Sequence, residues 1–272
     1  PCRNFPVHRV VEHLDPPEVE LILYNVQSHI DRITNLTDYI RHISWEQTRP
    51  EELHLHIFPD SPLIWGYRGE IDDRGNFIFY LKKPPEYNLR NLKVALDPGH
   101  GGWEFGAIGP TRLAEKDINL QIAEETADAL RRHKANVMLT RTEDKQVDLY
   151  ARREMARFFD ADLFISIHNN ALPDGVRPEE HRGLGVYYYN PQSLALAEFV
   201  HYHMLDLSGQ PDNGLFYNNL AIPRTTYMPA ILIEAAFIMH PEEEMLLRQK
   251  KFRYKLTGGI YLGWALGAND AS

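Results

Sequence analysis

A single cysteine, Cys2, in a chain of 272 residues excludes an internal disulfide and leaves no thiolate metal site. Its place near the start also allows a lipid anchor, a lesser reading than an ordinary N-terminal residue. Long apolar runs are absent: none approaches the roughly 18 to 20 residues that cross a bilayer, so no transmembrane segment is expected. A basic excess is absent as well. With 29 Lys and Arg against 38 Asp and Glu, the net charge of −9 argues against nucleic acid as a partner. Arg131-Arg132 and Lys250-Lys251 are short pairs in helix-like segments and read as solvated helix faces. No signal-peptide pattern is present and Pro1 stands where a Met would begin. The chain is therefore read as a mature or trimmed form whose targeting segment has been removed. What remains, 43% hydrophobic and 25% charged residues, suits a globular protein with one sizeable core or two modest ones.

The first part of the chain, residues 1–88, reads as a small all-β module. Leu53, Leu55 and Ile57 alternate with His54, His56 and Phe58, which gives a strand one apolar face. Residues 63–71 and 76–81 flank Asp72-Asp73-Arg74-Gly75, a hairpin signal, and residues 19–24 add a strand after Pro16-Pro17. His54 and His56 are read as the solvated face of their strand rather than as a metal pair. Trp45, Trp65, Tyr67 and Tyr80 suit either core packing or stacking on sugars. Asn35-Leu36-Thr37 has the form of a glycosylation acceptor and is read as coincidence. Lys82-Lys83-Pro84-Pro85 through Asn88 has linker composition.

Residues 89–272 alternate between strand and helix patterns. Short apolar strands are expected at 93–96, 137–140, 163–167, 186–189 and 230–233. Helices are expected at 116–133, 149–159, 193–207 and 252–266. This order predicts an α/β fold with a mostly parallel twisted sheet flanked by helices. His201 and His203, two apart in a helix, point in different directions and form no site.

Chemistry gathers behind the expected strands. His100 follows the first within Asp97-Pro98-Gly99-His100-Gly101-Gly102, where glycines permit a tight turn. His168 follows the strand at 163–167, Glu234 follows that at 230–233, and Glu115 opens a helix after the first loop. In an open α/β sheet, the carboxyl ends of the strands line the crevice where ligands bind. Two His and one Glu are a catalytic zinc set that leaves a fourth position for water, and the remaining carboxylate can take that water's proton. Each residue alone has an ordinary structural use, and spacing leaves both readings open.

The ordered segments Val94 to Gly102, Glu115-Lys116-Asp117-Ile118-Asn119-Leu120, Leu139-Thr140-Arg141, Ser166 to Ala171 and Leu232-Ile233-Glu234 resemble the zinc-dependent N-acetylmuramoyl-L-alanine amidases of the amidase-3 type. The likeness runs over roughly residues 93–266, with further matches at Arg141, Leu149, Arg152 and Ala156. The resemblance implies that His100, Glu115 and His168 bind Zn2+ and that Glu234 is catalytic. It implies cleavage of the amide between the lactyl group of N-acetylmuramic acid and L-alanine of the stem peptide, with peptidoglycan or its muropeptide fragments as partner and the cell envelope (periplasm or exterior) as location. Asn170, a recurrent Asn after the second zinc His, and Arg224, in the segment leading to the catalytic Glu, become substrate-binding candidates. For Asn170 a plain turn residue is the equal alternative.

The departures are Ala236 where the family has Gly and His240 where it has Asn. A positive φ at position 236 would cost an Ala on the order of 1 kcal/mol. His240 is read as a surface residue beside Pro241. The segment from Leu172 to Arg182 is too short for the multi-turn plug that blocks some relatives, so no activator is expected. Two other functions stay in view: a zinc peptidase acting within the stem peptide, and a non-catalytic wall-binding protein. For residues 1–88 the resemblance suggests envelope or wall binding.

Overall fold

A computed structural model describes residues 7–30, 33, 37–85, 89–172, 175–177 and 181–270, with side chains described to Gly263. Cys2, the Asn35-Leu36 pair, residues 86–88 of the linker and parts of the segment from Leu172 to Arg182 lie outside the described residues. The chain divides into two compact units, Pro1–Pro84 and Pro85–Ser272.

In the N-terminal unit, strands β1 (His8–Leu14), β2 (Pro17–Tyr24), β3 (Ile40–Arg49) and β4 (Glu52–Pro59) form an antiparallel sheet in the order β1-β2-β4-β3. Strands β5 (Gly66–Ile71) and β6 (Phe77–Lys82) form a hairpin. Its turn is set by Asp72, whose carboxylate accepts from the Arg74 and Asn76 backbone N–H groups at 2.9 and 2.8 Å. The inward residues Val19 and Ile57 pack with Ile64 and Tyr67, and Phe79 and Leu81 of the hairpin join them. Trp65 and Tyr67 are thus core residues, whereas Tyr80 is exposed beneath the Arg68 guanidinium, 4.3 Å from its ring centre. Strands β1 and β3 were not expected from the sequence. The pairing of β3 shifts between Ile40 and His42, which breaks the alternation that marks a strand.

The C-terminal unit is built on strands β7 (Lys93–Pro98), β8 (Asn136–Leu139), β9 (Leu163–Asn170), β10 (Leu184–Tyr188), β11 (Asp212–Tyr217) and β12 (Ala230–Phe237). They form one sheet in the order β11-β10-β12-β9-β7-β8, parallel except where β10 meets β12. Helices α1 (Glu115–Arg132), α2 (Leu149–Phe158), α3 (Leu194–Ser208), α4 (Pro241–Leu247) and α5 (Lys250–Asp270) complete the layers. The central strands are covered on both faces and therefore read as unbroken apolar runs. Val94, Ala95 and Leu96 of β7, Phe164 and Ile165 of β9 and Ile231 and Ile233 of β12 are all buried.

Two boundaries move in a way that matters. Strands β9 and β12 do not stop before His168 and Glu234 but continue through Asn170 and Phe237. Both residues therefore project from strand backbone rather than from loops. Ala236 lies in β12 without positive φ, so the anticipated strain is absent. The β12–β9 register shifts between Glu234 and Phe237, the stretch that contains Ala236. His240 is 5% exposed, at the start of α4, and not a surface residue. The edge strand β11 and the short helix α4 were also missed. Gly214, at φ 121° inside β11, interrupts its pattern, and α4 has only 7 residues.

Candidate metal centre

Three segments bring His100, Glu115 and His168 together. One ligand atom from each lies within 4.8 Å of the other two. Glu115 is the bridge: its Oε2 is 3.2 Å from His100 Nε2 and its Oε1 is 3.0 Å from His168 Nδ1. The two rings meet edge to face with centroids 4.9 Å apart. A carboxylate reaching both imidazoles could offset the charge of one protonated ring, or share a dication with two neutral rings. Two imidazoles with a carboxylate are also the donor set that suits zinc.

The backbone is shaped around these side chains. His100 itself has φ 61°, a left-handed conformation uncommon for a residue with a Cβ. Gly99 is required for a different reason. A Cβ there would overlap the imidazole of His168, so glycine lets β9's His lie flat against the loop.

Two buried arginines hold that loop by its carbonyl oxygens. Arg141 donates to Pro98 O and Gly99 O at 3.0 Å each, and to Lys116 O at 2.6 Å. Arg152 donates to Pro98 O and His100 O at 2.8 Å and pairs with Asp97 at 2.6 Å. Asp97 also accepts from Thr140 and Ser166 hydroxyls at 2.5 and 2.6 Å. Lys116 closes the next turn through Gly102 O and Asp144. These charges are satisfied by several partners each, the condition under which buried ions are tolerated.

A second set of contacts orients Glu115. The Ala107 backbone N–H donates to its Oε2 at 2.8 Å, and the Asn169 N–H and Asn119 amide donate to its Oε1 at 3.2 Å. Asn169 in turn donates to Asn119 Oδ1 at 2.8 Å. Such outer contacts fix a ligand's orientation. Burial pushes the Glu115 carboxyl up, but hydrogen bonds from His100 and His168 outweigh it and hold the group well below the usual carboxylate range.

Glu234 stands beside His168 because β12 and β9 pair in parallel with these two residues as partners. Paired residues of neighbouring strands point to the same face. Its Oε2 is buried without a hydrogen-bond partner among the described residues. Burial first, and then the Glu115 charge, raise its pKa well above the ordinary value. A buried carboxyl with a raised pKa, beside a group of side chains that could hold a cation, is suited to accepting and passing on a proton.

Of the remaining sequence candidates, Asn170 lies at the end of β9, two positions beyond His168. Its side-chain oxygen accepts from Ala171 N at 2.9 Å, a turn contact, and its carbonyl accepts from Ile238 N. Arg224 is exposed in the turn before β12 and has no ion pair among the described residues. It is not linked to the Glu115 cluster. The sequence reading missed the roles of Arg141, Arg152, Asn119 and Asn169. For Asn119 a signal existed: it lies four residues after Glu115 on α1 and so shares its face. His54 and His56, set aside as a solvated pair, form with Glu20 a second group whose ligand atoms lie within 4.8 Å of one another.

A profile of the N-acetylmuramoyl-L-alanine amidases, amidase-3 type, matches residues 94–265. The chain is similar to a probable cell wall amidase, LytH, of Staphylococcus aureus, at 32% identity over 177 residues, covering 64% of this chain and 58% of the relative. It thus spans a little over half the length of that curated relative. Among solved structures it is similar to an N-acetylmuramoyl-L-alanine amidase from Clostridium difficile 630, with TM-score 0.62 and 34% identity over 67% of this chain and 99% of that one. It is also similar to the catalytic domain of CwlV from Paenibacillus polymyxa, with TM-score 0.61 and 31% identity over 66% and 99% of the two chains.

Proposed function

Because the chain belongs to the amidase-3 family of N-acetylmuramoyl-L-alanine amidases, we propose that it is a zinc-dependent peptidoglycan amidase of the cell envelope, cutting between the lactyl group of N-acetylmuramic acid and L-alanine. The observation that carries this reading is the convergence of His100, Glu115 and His168 with the unpartnered Glu234 carboxyl at their side. The donor set fits zinc in kind, and the three side chains would hold it.

Bound zinc polarises a carbonyl oxygen and lowers the pKa of water to about 7. Glu115 keeps its charge at neutral pH, supplies the anionic ligand and orients both imidazoles. Glu234 takes the proton of the attacking water, which its raised pKa favours, and delivers it to the departing amide nitrogen. Arg141 and Arg152 keep His100 in position through the loop carbonyls. Trp103, 77% exposed on the same loop, and Phe105, 49% exposed, offer apolar surface for the substrate. Asn170 and Arg224 would contribute polar contacts to glycan or stem peptide. The short segment after Ala171 supports a site that works without an activator. Residues 1–88 would retain the enzyme on the wall.

Digestion of purified peptidoglycan by the zinc-loaded protein, read by mass spectrometry, tests the reading. Intact glycan strands and free stem peptides beginning with L-alanine are expected, and both should vanish in Glu234→Gln. Cuts inside the stem peptide would make the protein a peptidase. Stoichiometric wall binding with no product would leave a wall-binding protein. Zinc loss with inactivity, reversed by a second protein, would overturn the activator-free site. Deleting residues 1–88 should weaken wall pulldown while soluble muropeptides are still cut.

A further inference from the structure

The outer face of the N-terminal sheet carries a cluster that the amidase chemistry does not use. Inward Leu53 and Ile57 are buried, so period two turns Glu52, His54 and His56 of β4 to the other face. Glu20 of β2 is the cross-strand partner of His56 and reaches His54 Nδ1 at 2.7 Å. The two imidazole centroids are 6.4 Å apart. Each ring also has one nitrogen on a further carboxylate: His54 Nε2 is 2.9 Å from Glu52, and His56 Nδ1 is 2.6 Å from Glu18. Glu46 stands 3.9 Å from His56 Nε2.

We propose that Glu20, His54 and His56 form a binding site for a divalent transition-metal ion of the zinc type. Ligands placed about 2.0 to 2.2 Å from a tetrahedral ion lie roughly 3.3 Å from one another. The cluster, with a 2.7 Å contact to loosen and separations no wider than 4.8 Å, needs only small side-chain adjustments to reach that spacing. Carboxylates on the second nitrogen of a ligating His fix the ring and raise its basicity, and Glu18 and Glu52 are disposed for that task. Charge points the same way: Glu18, Glu20, Glu46 and Glu52 crowd two rings that are neutral when they ligate. The side chains of Glu20, His54 and His56 are 17, 14 and 24% exposed, shielded enough to strengthen the attraction and open enough for an ion to enter. Two imidazoles select against magnesium and calcium, which take oxygen ligands. The ion would tie β2 to β4 in a small unit without a disulfide, where such a staple has most effect.

Zinc chloride is the probe, added to the metal-stripped full chain and followed by equilibrium dialysis with metal analysis. The wild type should bind two equivalents. His100→Ala with His168→Ala should retain one, held at the N-terminal unit, and this variant leaves that unit's sequence unaltered. His54→Gln with His56→Gln should also retain one, with cleavage of soluble muropeptides unchanged, and Glu20→Gln should weaken the N-terminal ion at least tenfold. Magnesium at the same concentration should not compete. A folded His100→Ala, His168→Ala protein that binds no zinc overturns the proposal, as does a wild type holding one equivalent that those two substitutions remove. If instead the single equivalent survives them and is lost with His54 and His56, the cluster stands and the zinc amidase reading fails.

Discussion

Gly99→Ala isolates the coupling between the loop of β7 and the His168 ring, a proposed zinc ligand. Gly99 is not among the positive-φ residues, so alanine there brings no backbone penalty of the left-handed kind. Its Cβ would instead overlap His168 Cε1 and Nε2 and lie 2.6 Å from Nδ1. Because non-bonded carbon contacts settle at about 3.5 to 4.0 Å, the ring must retreat by about 1.5 Å. Strand β9 is paired on both sides, to β12 and β7, so the ring swings and the backbone stays. Metal ligands tolerate about ±0.2 Å, and a 1 Å misplacement can cost about 100-fold in rate. Zinc affinity, measured by chelator competition, should therefore fall at least 100-fold, and kcat/KM at fixed free zinc should fall with it. Overpacking should lower stability in urea by about 1 to 3 kcal/mol. Gly209→Ala is the control. Gly209 has φ 71° and nothing within 4 Å of its Cβ position, so it should lose about 1 kcal/mol of stability and no zinc affinity. Zinc binding by Gly99→Ala within threefold of the wild type, at a similar loss of stability, would refute the steric account.

Asn119→Ala removes one donor from Glu115 and strands the Asn169 amide, and zinc affinity should drop about 10- to 100-fold with the fold intact by circular dichroism. Arg152→Met leaves Asp97 buried without its cation and takes the side-chain donor from the His100 carbonyl, so urea unfolding should show a loss of about 3 to 5 kcal/mol. For Glu234, the folded pKa lies above the unfolded value of 4.5, so its contribution is complete below that pH and declines as pH rises through the folded pKa. Metal-free Glu234→Gln should therefore melt higher than metal-free wild type at pH 8, with the difference gone at pH 4, as thermal unfolding across pH would show. Trp103→Ala, at a residue 77% exposed, should raise KM severalfold and leave kcat and stability nearly unchanged in steady-state kinetics on muropeptides.

Local pattern carried much of the architecture. The apolar runs of β7, β9 and β12 and the helical spacing of α1 and α2 are properties of short windows, and burial on one face or both writes them directly into the chain. The motif segments with His100, Glu115, His168 and Glu234 were legible for the same reason, being short and ordered. Their meeting was not. Glu115 touches His168 across 53 positions, Arg152 reaches His100 O across 52, and both contacts depend on strand order and loop path. Only strand pairing puts Glu234 next to His168, and only the folded chain buries its carboxyl and brings the Glu115 charge near, which together raise its pKa. The same holds for His54 and His56: alternation gives them a common face, but the carboxylates that surround them arrive from the neighbouring strands β2 and β3 as well as from β4 itself. Sequence by itself determined the central strands, the longer helices and which side chains can ligate or ionise, while β1, β3, β11 and α4 escaped it. Tertiary structure decided which of those side chains share a site and what charge each holds, because distance and solvation are set by chain segments that no local window contains.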